Sequence, residues 1–209
     1  MEVITSLKTN TMVLEHHFKT TSHNLPSLFE GVTKFGTFCR RLEKQGNLDT
    51  DRYDRDKYVG DGFEFFVELF IKYFKNDNRI GIHEYRANQG IDMGVDGFGL
   101  NMSLEKCAIQ IKYRSNNTQE LSGHQDHLNS FVAEALLNHG VNPPEKLKVG
   151  VIPTLYIFTS AKGLYWKTND VKYQGKIKVI AYDDIRKMVD NNLGFWQDAY
   201  RISLENNSK

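Results

Sequence analysis

The chain predicts an α/β domain organised around one sheet, and three observations carry that prediction. Residues 107–114 alternate in character, residues 154–159 form an unbroken apolar run, and a strongly helical stretch over 61–74 precedes both. In the first segment Cys107, Ile109, Ile111 and Tyr113 fall on one side, and Ala108, Gln110, Lys112 and Arg114 on the other. That is the pattern of a strand with one buried face.

Along the chain, residues 1–24 are polar and mixed. Residues 25–45 read as a helix, because Leu28, Phe29, Val32, Phe35, Phe38 and Cys39 keep a three-to-four spacing and Gly46 follows as a stop. Residues 47–57 read as a charged connector. Residues 61–74 present Phe63, Phe66, Val67, Phe70, Ile71 and Phe74 on one wide face, with Asp61 placed to cap the start. Residues 81–85 and 95–100 read as short strands flanking a glycine-rich turn, and residues 107–113 as the central strand. A helix over 123–138 points Leu128, Phe131, Val132, Ala135 and Leu136 inward. Leu155, Tyr156, Ile157 and Phe158 suit a strand covered on both faces, residues 177–181 form another strand, and residues 183–191 a final helix.

The bulk properties narrow the function. The 209 residues fit one medium domain, and 40% hydrophobic content with 12% aromatics is that of a globular protein. A net charge of +1 leaves no global field to attract nucleic acid, so any basic surface is local. Cys39 and Cys107 are expected as reduced thiols of a cytoplasmic protein. No apolar run reaches membrane-helix length and no signal pattern opens the chain, so no membrane is expected as a partner.

The segment most suggestive of chemistry is Gly94-Val95-Asp96-Gly97 followed by Gln110, Ile111 and Lys112. Gln110 and Lys112 project the same way, about 7 Å apart at the usual strand rise. Asp96 offers a carboxylate, Gln110 an amide oxygen, Lys112 an ammonium, and the Ile111 carbonyl points to the strand's edge. Such hard oxygen donors suit Mg²⁺, with Mn²⁺ as a substitute. Glu64 lies roughly 60° from the middle of the apolar face at about 100° per residue, so it can reach inward. Glu68, about 100° away by the same geometry, is expected in solvent.

Residues 62–70 (GFEFFVELF), 90–97 (GIDMGVDG) and 110–114 (QIKYR) resemble the three catalytic motifs of the Mrr-like restriction endonuclease family, within the PD-(D/E)xK nuclease superfamily. Residues 130–136, 156–160 and 179–188 resemble the elements that follow, so the likeness covers roughly residues 58–194. It implies a restriction-endonuclease-like core with a mixed central sheet over residues 57–209, behind a short helical extension at 1–56. It also implies a Mg²⁺-dependent DNA endonuclease that leaves 5′-phosphate and 3′-hydroxyl ends. By motif, Asp96 is the metal-binding aspartate, Gln110 holds the variable acidic position, Lys112 is the lysine and Glu64 the helix glutamate.

Asp92 matches the outer aspartate of the turn, either behind the metal ligands or fixing the turn through its own backbone. Two departures stand out: no winged-helix pattern precedes residue 58, and Met93 stands where glycine is usual. A structure-selective nuclease, or a silent DNA-binding module on the same fold, remains the alternative.

Other polar residues point to DNA contact. Arg114 follows the central strand, His124 opens the next helix where phosphate can sit, and Lys162 and Lys167 belong to a lysine-rich stretch with Tyr165 and Trp166. His124 and His127 share a helix face but lack the further ligands of a zinc site. A double-strand cut needs two active sites, which a homodimer would supply. Because Gln110 is neutral, the site is expected to hold its metal loosely until DNA phosphate arrives.

Overall fold

The computed structural model describes residues 14, 25–48, 52–88, 94–123, 126–141, 154–165 and 177–207. A single 3₁₀ turn at Leu25–Leu28 precedes helices α1 (Phe35–Gly46), α2 (Arg52–Tyr73), α3 (Leu128–Leu137), α4 (Tyr182–Val189) and α5 (Leu193–Asn207). The strands are β1 (Ile82–Ala87), β2 (Gly97–Asn101), β3 (Lys106–Lys112), β4 (Glu120–Ser122), β5 (Leu155–Thr159), β6 (Gly163–Tyr165) and β7 (Ile177–Ile180).

The main sheet runs β1-β2-β3-β5-β7. Its β1–β2 and β2–β3 pairs are antiparallel, and its β3–β5 and β5–β7 pairs are parallel. The architecture is α/β, a mixed five-stranded sheet flanked by helices. On one face α1, α2, α4 and α5 bury Phe35, Phe66, Ile185 and Trp196 against Ile109, Tyr156 and Ile180. On the other, Leu128, Phe131, Val132 and Ala135 of α3 pack on Ala108, Leu155 and Ile157.

Several expectations are corrected. The second face of β3 is not a solvated polar face: α3 covers it, and Gln110 is 1% exposed. Helix α2 begins at Arg52, so the second half of the expected connector is helical and Asp61 lies inside the helix rather than capping it. Residue Gly46, expected only as a stop, is the last residue of α1 and lets α2 pass close by. A Cβ there would sit 2.7 Å from Val59 Cγ2. Glu68 is fully buried, because helices and sheet enclose a wider arc of α2 than its apolar stripe suggests, and Lys72 one turn on pairs with it at 2.7 Å.

Residues 177–180 form the strand expected there, and residues 163–165 belong to a different sheet. β6 pairs with β4 in a separate two-stranded ladder, and β7 joins the main sheet. Helix α5 was not expected; Asn192 Oδ1 accepts the Phe195 N–H at 3.1 Å and caps its start. Helix α1 is capped from afar, with the Phe35 N–H donating to Asp190 Oδ1 at 2.8 Å.

Candidate active site

The site forms where the β2–β3 ladder stops. Pairing reaches Gly97↔Ile109, and β3 continues for three more residues. The N–H of Ile111 points toward the absent strand, as does its carbonyl, since both groups of a strand residue face the same edge. Asp96, one residue before β2, fills that place: its carboxylate Oδ2 accepts the Ile111 N–H and the Gln110 Nε2–H. Its backbone is held on both sides, donating to Ile109 O at 3.0 Å and accepting from Asn88 N at 2.9 Å. Asn88 Nδ2 adds a bond to Val95 O at 2.8 Å.

On the opposite edge β5 anchors the end of β3. The Lys112 carbonyl accepts from Thr159 Oγ1 at 2.7 Å. Ser160 Oγ accepts the Arg114 N–H at 2.6 Å and donates to the Arg114 carbonyl at 2.9 Å. The strand end that carries Lys112 is therefore gripped on both edges, by the Asp96 carboxylate and by the Thr159-Ser160 hydroxyls.

A cleft of about 370 Å³ opens beside this strand end. Its walls include Glu64, Asp96, Ile111 and Lys112, four of the expected site residues. Gln110 is not among them. It lies beneath Asp96, with its amide nitrogen on the carboxylate and its oxygen toward Gly94. Gly94 allows this, with φ +96° and a Cβ position only 3.2 Å from Phe131 N.

The first half of α2 adds Arg55 and Asp56 to the cleft. These two went unnoticed in the sequence, although Asp56, Gly60 and Glu64 recur every four residues along one helix face. Among the described residues no group of three or more His, Cys, Asp or Glu side chains is placed to hold a metal ion. The oxygen donors brought together are the Asp96 and Glu64 carboxylates and the Ile111 carbonyl, a small hard set that suits an ion keeping several waters.

The remaining candidates distribute otherwise. Arg114 is exposed on the cleft wall, and its guanidinium is ion-paired with Asp126 and bonded to the Tyr113 carbonyl at 2.7 Å. Partial burial lowers its pKa from the usual guanidinium value. Tyr113 keeps its proton, pushed well up by burial and by the nearby Cys39 and Glu43, and donates to Glu43 Oε1 at 2.8 Å. Lys162 is exposed and is not among the cleft's walls, with its backbone N–H on Gln119 O at 2.9 Å. Asp92, Met93, His124 and Lys167 lie outside the described residues. No helix among the described residues is long and apolar enough to cross a membrane.

Comparison of the chain with protein-family models, with curated proteins and with solved structures finds no match.

Proposed function

We propose that this protein is a metal-dependent DNA endonuclease with a restriction-endonuclease-like core, similar to the Mrr-like nucleases, hydrolysing phosphodiesters to 5′-phosphate and 3′-hydroxyl ends. The observation that carries the reading is the convergence of Glu64, Asp96, Ile111 and Lys112, from three separate segments, on one cleft. Phosphodiester hydrolysis needs a polarised phosphate, a positioned water and relief of charge on the departing oxygen.

Asp96, Glu64 and the Ile111 carbonyl would hold the cation, with the Gln110 amide behind them donating to the Asp96 carboxylate rather than ligating. A bound Mg²⁺ or Mn²⁺ supplies Lewis acidity and lowers the pKa of a water. Asp96 is kept in place by its two N–H donors, so its orientation is set before substrate arrives. Lys112 reaches the same cleft as an ammonium that orients the attacking water and offsets charge growing on the phosphate. DNA would be the partner, as the likeness to the Mrr-like nucleases implies, and a homodimer would deliver two cuts.

Supercoiled plasmid tests the reading. Wild-type protein is expected to nick it with Mg²⁺ and not with EDTA, and Asp96→Ala or Lys112→Ala to slow nicking by about a hundredfold or more. Plasmid, linear, single-stranded and branched DNA all left intact in both Mg²⁺ and Mn²⁺ would remove the enzymatic assignment for the protein acting alone.

A further inference from the structure

A second, smaller cavity of about 100 Å³ lies beyond the cleft, where α1 and α4 approach the end of β3. The two share Tyr113, Arg114 and Ser115 as a common wall. The cavity therefore adjoins the cleft along that wall.

The chemistry of the walls says which part of a nucleotide fits. Two cations and one carboxylate line the cavity: Arg40, Arg114 and Glu43. Arg114 is already neutralised by Asp126, which leaves Arg40 against Glu43 and little net attraction for a phosphate. What the walls offer instead is hydrogen-bonding edges beside rings. Tyr113 donates to Glu43 at 2.8 Å, and Tyr182 is hydrogen-bonded to Asn117. The cavity is too small for a whole nucleotide and is of the order of one base ring. Gly36 makes the room at one end, since a Cβ there would lie 2.9 Å from the Tyr182 hydroxyl. Nucleic-acid proteins read a base displaced from its stack in this manner, by ring contacts and by donors and acceptors on its edge.

We infer that this cavity is a nucleobase subsite: it receives one unstacked base of the strand whose phosphate occupies the cleft, and Asn117 and Glu43 read its edge. The inference rests on the nuclease reading of the cleft and adds to it a source of base preference. Asn117 is exposed and Glu43 half-buried, so both can be changed without opening the core.

The test is binding in EDTA, measured by fluorescence anisotropy with short oligonucleotides of dA, dC or dT and a fully abasic strand of equal length. Wild-type protein is expected to rank the three bases and to bind the preferred one about tenfold more tightly than the abasic strand. Asn117→Ala and Glu43→Gln, each checked for an unchanged melting temperature, should flatten that ranking and leave the abasic affinity as it was. If the wild type ranks no base, or the ranking survives in both variants while plasmid is still nicked, the subsite is wrong and the nuclease reading stands. If no nucleic acid is bound or cut at all, both fall together.

Discussion

The two faces of the main sheet are covered by different chemistry. Under α1, α2, α4 and α5 the packing is ring against ring: Phe66 has Phe38, Phe35, Phe195 and Phe70 at centroid distances of 4.6, 5.1, 5.7 and 6.2 Å. Under α3 it is aliphatic, with Phe131 the only ring among the buried residues of that cluster. Into this second face projects Gln110, a buried amide whose nitrogen bonds the Asp96 carboxylate. One face thus supplies stability, and the other orients the site. Large rings bury the most apolar area per residue and dominate core energetics, whereas a single buried amide contributes little to stability and a definite direction to its partner.

The sharpest way to break this contrast is to exchange the effects. Phe66→Ala is expected to cost about 3–5 kcal/mol in urea unfolding, while the fraction still folded keeps its nicking rate. Gln110→Leu should do the reverse: about 1–3 kcal/mol of stability, with a far larger proportional loss of nicking, because Asp96 loses a donor that holds it. Equal stability losses for the two would end the division of labour. A smaller effect is expected from Ser160→Ala, about 1 kcal/mol, with a weakened hold on Arg114 read by faster amide exchange at the end of β3.

A further effect is confined to alkaline pH. Burial raises the Cys107 thiol from 9.0 to about 12, so between those values the unfolded chain has released a proton that the folded one retains. Stability contributed by this group is complete below pH 9.0 and lost as pH rises to about 12. Cys107→Ala should flatten the alkaline limb of the stability curve, while at neutral pH it removes only the packing of one buried sulfur, about 1 kcal/mol.

Much of this was legible in the sequence, for reasons that differ by element. β3 and β5 announce themselves by alternation and by an apolar run, and the Asp96–Lys112 group follows from the turn and the strand parity. What escaped lies where local pattern is weak. Residues 52–60 carry mostly charges, with Tyr53, Tyr58 and Val59 the exceptions before Gly60, and are drawn into α2 partly by packing against α1 at Gly46. The start of α5 follows a turn at Asp190–Asn191–Asn192, which reads as an ending although Asn192 is its cap. The orientation of Gln110 depends on α3 lying over the strand, a contact between distant segments that strand parity does not contain.

The grip of Thr159 on Lys112 joins residues 47 positions apart in the chain. A ribosome adds roughly 5–20 residues per second, so α2 and β3 exist for some time before their anchor has been made. During that interval the ladder to β2 can form, yet Lys112 has no hydroxyl on its far edge. The fixed placement of Lys112 at the cleft is then among the last properties a newborn chain acquires, arriving with β5 rather than with the strand that carries the lysine.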